Sequence, residues 1–170
     1  MFETTRLGGW ESPAEPIPAP LALFGTTVPA AWVDYNGHMS EWCYLLAMGE
    51  NSDAFFRYIG INEEYRTSGG SLYTVETHLR NLREAALGDS VSLTLRVLGL
   101  DAKRVHIAHE MYSGEMLLAT GEQLLLHVNM AAGRATALPT VLHDRLAQIA
   151  TAHNALPVPE WVGCVINIPS

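Results

Sequence analysis

The eight residues Trp42 to Gly49 carry no charge, and they lie inside SEWCYLLAMGENSDAFFRYI (40–59), which reads as one helix. A helix that is apolar on most faces has to be surrounded by protein rather than laid on a surface. Ser40 stands where an N-cap belongs, and Glu41 lies in the first turn, where the helix dipole favours a negative charge. Gly60 suits the stop. Asp53 and Arg57, four apart, can pair on the one polar strip.

What encloses this helix follows from the rest of the chain. Residues 21–33 (LALFGTTVPAAWV) read as a first strand, with Pro29 at an edge or bend. A short helix is expected over Asn62–Ser68, halted by Gly69-Gly70. Residues 72–82 alternate, with Val75, Thr77 and Leu79 on one face and Glu76, His78 and Arg80 on the other. Residues 90–98 and 103–112 continue the period of two, and Ser113-Gly114 signals a hairpin. A long apolar strand, 115–130, is expected to bend near Gly121, and Gly133-Arg134 makes a further turn. Pro139 suits the first position of a final helix running to about His153. Hairpin connections and alternation favour antiparallel pairing. The expected class is α+β, a curved antiparallel sheet wrapped around a long central helix.

The 170 residues suit one domain, which at this size buries roughly 70% of the surface its unfolded chain exposes. We read a Pro-rich arm over 1–20, the main domain over 21–153 and an extension over 154–170, both ends packing on the domain or on a partner subunit. The net charge of −8, the single lysine (Lys103) and the absence of a basic run argue against a nucleic-acid partner. No segment approaches the ~18 continuous apolar residues of a membrane span, and the N-terminus lacks the basic-then-apolar order of a signal peptide, so a cytoplasmic protein is expected. Cys43 and Cys164 lack metal spacing and read as buried thiols. His106, His109, His127, His143 and His153 show no ligand spacing either, so no metal is expected. His106 and His109, three apart on a strand, should face opposite sides.

The densest chemical stretch is Trp32-Val33-Asp34-Tyr35-Asn36-Gly37-His38-Met39-Ser40, between the first strand and the buried helix. It places a carboxylate, Asp34, beside a tight turn, and the free amides of a helix start near Met39, Ser40 and Glu41. Acyl transfer needs a base or nucleophile and donors for the developing oxyanion. The same residues can equally form an Asx turn, with Asp34 and Asn36 bonded to local backbone. Glu76 and His78, side by side on one strand face, are a second titratable pair that fits catalytic acid–base work, in the same subunit or across a dimer, or else a surface-facing pair.

VPAAWVDYNGHMSEWCYL, VETHLRNLREAALGDSV and LATGEQLLLHVNMAAGRATALP together resemble the hotdog-fold acyl-CoA thioesterases of the 4-hydroxybenzoyl-CoA thioesterase type, over about residues 22–150. Within that family the sequence is most similar to the betainyl-CoA thioesterases of carnitine catabolism. The resemblance implies hydrolysis of a small acyl-CoA without a cofactor. It puts Asp34 in the place of the catalytic carboxylate, as general base or as nucleophile, with Asn36 and His38 positioning water or substrate and the helix-start amides polarising the thioester. It implies that the Glu76/His78 strand lies close to the thioester. It also implies a homodimer, or a dimer of such dimers, with a sheet continuous between subunits and sites shared between them. Trp32, Tyr35, Trp42 and Tyr44 cluster around Asp34 in sequence and suit a cation–π cage for a trimethylammonium acyl group. CoA phosphates would fall to arginine, with Arg83, Arg104 and Arg134 as candidates near strand ends.

Two other readings compete. Hotdog hydratases carry D-x-N-P-x-H, whereas here Gly37 replaces the proline and His38 follows Asp34 by four positions instead of five. A non-catalytic acyl-CoA-binding module would keep the fold and do no chemistry.

Overall fold

A computed structural model describes residues 16–166. The strands are β1 (Leu21–Thr27), β2 (Gly70–Asn81), β3 (Ser90–Leu100), β4 (Arg104–Ser113), β5 (Met116–Asn129) and the two-residue β6 (Arg134–Ala135). The helices are α1 (Glu41–Tyr58), α2 (Glu63–Thr67) and α3 (Thr140–His153). The first strand ends earlier than its composition suggests. Pro29 offers no amide to a ladder, and the chain turns through a short 3₁₀ helix, Ala30–Trp32, before reaching Asp34.

The sheet is antiparallel throughout, in the order β1-β3-β4-β5-β2, with β6 paired to β5. Helix α1 touches both edge strands as well as β3 and β5. A straight helix can meet both edges of such a sheet only if the sheet curls around it. Gly121 permits the closest approach: a Cβ there would run into Sδ of Met48. The concave face carries Leu93, Leu95, Val97, Val105, Ile107, Met111 and Leu125, all buried. They pack against Cys43, Ala47, Met48 and Phe55 of α1, with Leu142, Leu146 and Ile149 of α3 closing one end.

Two polar residues lie in the middle of the buried face of α1. The Asn51 amide donates to Nδ1 of His109 (3.0 Å) and to the Thr94 carbonyl (3.3 Å), and the Ser52 hydroxyl donates to Oε1 of Gln123 (3.2 Å). Nδ1 of His109 therefore accepts, and Nε2–H faces Oε1 of Gln123 at 3.2 Å. Burial holds the His109 pKa down at about 4. This histidine folds neutral, so its contribution is complete above the unfolded value of about 6.5 and is lost as pH falls through about 4. The urea midpoint should drop across that window by the equivalent of about 3 kcal/mol. His109→Gln should flatten the drop.

The extension beyond α3 forms a strap on the convex face. Buried Arg96 donates to the carbonyls of His153 (3.2 Å), Leu156 (3.1 Å) and Pro157 (2.8 Å). The Trp161 indole donates to Glu110 (3.4 Å) and the Gly163 amide to Glu122 (2.7 Å). His153 accepts from the Val97 amide (2.8 Å) and donates to the Pro18 carbonyl (3.0 Å), so the two terminal segments converge there. Residues 1–15 of the expected N-terminal arm and 167–170 of the extension lie outside the described residues. Cys43 is buried as expected, but Cys164, on the strap, is exposed.

Candidate active site

The Asp34 turn is built from backbone bonds before any side chain contributes. Asp34 N–H donates to the His38 carbonyl (2.9 Å) and Gly37 N–H to the Asp34 carbonyl (3.0 Å). Gly37 takes φ +82°, a left-handed conformation that glycine adopts without strain. The Asx turn anticipated from the sequence is present, since Oδ1 of Asp34 accepts from the Asn36 amide at 2.8 Å. One carboxylate oxygen is therefore held, and the other makes no hydrogen bond among the described residues.

The helix start is more selective than the sequence suggests. The amides expected to polarise a thioester were those of Met39, Ser40 and Glu41. Met39 N–H is already given to the Ala85 carbonyl (2.7 Å) and Ser40 N–H to the Trp32 carbonyl (2.7 Å). Ser40 sits at the N-cap, but its side chain makes no capping bond. The amides of Glu41 and Trp42, as the first two helical residues, have no intrahelical acceptor and remain as donors. Trp42 was not among the expected donors.

The chain after β2 locks this turn in place. Tyr44, buried, donates its hydroxyl to the Arg83 carbonyl (3.1 Å) and accepts from the Ala85 amide (3.1 Å). His38 forms a β-bridge with Ala86, and its Nδ1 lies 3.5 Å from a Glu84 carboxylate oxygen.

The structure does not gather the four aromatics into one cage within the protomer. Trp32 and Tyr44 are buried in the core, whereas Tyr35 is 97% and Trp42 60% exposed. Only the latter two face solvent beside Asp34.

Glu76 and His78 do share a face, but it is the convex one. Thr77, between them, pairs with Gln123, whose side chain meets Ser52 of α1. Its neighbours therefore point away from the helix. They line a cavity of about 560 Å³ under the strap, with His106, Glu122 and Ile166. Among the described residues, no hydrogen bond or ion pair joins this pair to Asp34. His106 and His109 do face opposite sides, the first bonded to Glu122 (2.7 Å), the second in the core.

The three arginines are also dispersed. Arg83 donates to the Leu117 carbonyl (2.8 Å), beside the Asp34 turn. Arg104 is opposite Leu126, nine residues further along β5 and so about 30 Å away at ~3.3 Å per residue. It is bound to Asp101 (2.7 Å), and that bond leads the contacts holding the Asp101 carboxyl at about 2. Arg134 is exposed at the same far end. Among the described residues, no three His, Cys, Asp or Glu side chains are grouped to hold a metal ion, and no helix is long and apolar enough to cross a membrane.

A curled antiparallel sheet around one long helix, with a carboxylate turn at the helix start, defines the hotdog class. Residues 28–146 match the model of the thioesterase-like superfamily, and the chain belongs to that family. It is 42% identical over 153 residues to the betainyl-CoA thioesterase of Pseudomonas aeruginosa, covering 88% of this chain and 96% of that one. It is 44% identical over 162 residues to the L-carnitine dehydrogenase/betainyl-CoA thioesterase of Rhizobium meliloti, covering 91% of this chain. The chain spans about a third of that relative's length (32%). A Staphylococcus aureus protein solved in complex with CoA superposes with a TM-score of 0.83 at 25% identity, covering 89% of this chain and 98% of that one.

Proposed function

We propose that this protein hydrolyses a small acyl-CoA thioester to the free acid and CoA in the cytoplasm, with betainyl-CoA as the substrate. The observation that carries this reading is a turn carboxylate, Asp34, in the segment that leads into an 18-residue helix whose first amides, Glu41 and Trp42, have no intrahelical acceptor. Those amides would meet the thioester oxygen as it becomes an oxyanion. A C–O bond forms to the acyl carbon, the C–S bond breaks and CoA departs as the thiolate, which takes up a proton. Asp34 either removes the proton from the attacking water or attacks the acyl carbon itself, giving an anhydride that water opens. Asn36 and His38 flank it and position water or substrate. The names of the similar proteins support the betainyl group, and so do Tyr35 and Trp42, whose exposed rings can attract a trimethylammonium group. Of the three candidate arginines, Arg83 is the one we assign to the CoA phosphates, supported by its position beside the Asp34 turn.

The test is thiol release across a panel of acyl-CoAs. Betainyl-CoA should exceed its neutral carbon isostere, 3,3-dimethylbutanoyl-CoA, by about tenfold in kcat/KM, the worth of one or two cation–π contacts. Equal values would remove the cage, and no thiol release from any ester would remove the hydrolase.

The working unit in this proposal is a homodimer. Strand β2 is an open edge, with Tyr73 50% and Val75 52% exposed, and α1 leaves Trp42 and Leu45 uncovered. A second copy pairing along β2 would extend the sheet and cover that stripe. Sedimentation should give twice the mass of one chain, and Trp42→Glu with Leu45→Glu should return it to the monomer. A wild-type monomer at micromolar concentration would refute the pairing.

A further inference from the structure

The geometry points to Glu84 as a positioning residue for the Asp34 site, acting through His38. This rests on the hydrolase reading above. Glu84 lies 46 positions beyond His38 in sequence, yet its carboxylate comes within 3.5 Å of Nδ1 of the imidazole. The two side chains are exposed, but the backbone that carries Glu84 is fixed on both sides. The Tyr44 hydroxyl bridges the Arg83 carbonyl and the Ala85 amide, at 3.1 Å each. The Ala85 carbonyl takes the Met39 amide at 2.7 Å, and the Ala86 amide donates to Asp89 at 2.8 Å. On the other side, the His38 carbonyl takes the Asp34 amide at 2.9 Å. The backbones of Glu84, His38 and Asp34 therefore belong to one stitched unit, which brings the carboxylate and the imidazole together.

Such an arrangement has a defined chemical effect. A carboxylate 3.5 Å from Nδ1 favours the tautomer with Nδ1–H, leaving Nε2 to accept a hydrogen bond or a proton. It also favours one rotation of the ring, and that rotation decides whether His38 can order a water beside Asp34. The pair is solvent-exposed, with side chains 43% and 74% accessible, so its contribution to fold stability is small. A catalytic effect and a structural one can thus be separated.

The test is steady-state hydrolysis of an acyl-CoA that wild type turns over, with four proteins: wild type, Glu84→Ala, His38→Gln and the double variant. We expect Glu84→Ala to lower kcat by 10- to 100-fold with KM within a factor of two and an unchanged melting temperature. Glu84→Gln, which keeps an oxygen able to accept from Nδ1–H, should recover most of the loss. The double variant should be no slower than His38→Gln alone, because residues acting as a unit are not additive. The inference is overturned by an unchanged kcat in Glu84→Ala, by wild-type behaviour of His38→Gln, or by losses that multiply in the double variant. Failure of the hydrolase reading looks different: wild type would then release no thiol.

Discussion

Asp34→Asn should lower kcat by a factor of about 10³ while leaving the fold intact, the range set by removing a general base or nucleophile. The amide can still accept the Asn36 N–H through its oxygen, so the turn survives. What disappears is the charge of the second oxygen. An isotope experiment on wild type addresses which of the two routes is used. In wild type, a single turnover in ¹⁸O-water labels the Asp34 side chain only if an anhydride forms there, because the carboxylate oxygen then leaves with the product. Label in Asp34 identifies an anhydride opened at the side-chain carbon; label in the product alone is given both by general-base attack and by an anhydride opened at the acyl carbon, and a transient acyl adduct in the intact-protein mass separates those two. A kcat within threefold of wild type in Asp34→Asn would move the chemistry elsewhere.

Arg96→Leu should be the most damaging single change to the fold away from the site, costing about 3 kcal/mol by urea denaturation. The guanidinium is buried and donates to three carbonyls at the end of α3 and the first turn of the strap. Basic groups at a helix C-terminus also meet the negative end of its dipole. Leucine fills part of the volume and leaves those carbonyls without a donor. The strap should then become sensitive to proteolysis near Trp161 before the rest of the domain unfolds. A variant as stable as wild type, with the strap still protected, would show that the extension is held by its contacts with Glu110 and Glu122 alone.

The architecture was legible because its strongest signals are periodic. The alternation in β3 and β4 reflects burial on one face, and the glycine stops at Gly60 and Gly69 reflect left-handed turns. The uncharged run in α1 is only partly enclosed: Cys43, Ala47 and Met48 are buried, whereas Trp42 and Leu45 are exposed. Asp34 was legible as a turn carboxylate before a helix. The details that decide chemistry were not, because they depend on partners remote in sequence. The amides of Met39 and Ser40 are consumed by Ala85 and Trp32. Tyr44 is an anchor for residues 83–85 rather than a wall of a cage. Alternation correctly put Glu76 and His78 on one face but could not say which face meets α1. Glu84 gave no signal, since nothing in REAA (83–86) marks it apart from any exposed glutamate. Arg96 sits among the polar positions of an alternating strand, and only the packing of α3 explains its burial.

The uncovered stripe on α1 also carries a thermodynamic consequence. Trp42 and Leu45 are at the solvent edge of a helix whose other face is the core of the protein. Covering them with a second copy couples assembly to folding, so unfolding becomes a bimolecular equilibrium in reverse. The melting temperature should then rise with protein concentration, following mass action. The protein would be least robust when it is most dilute.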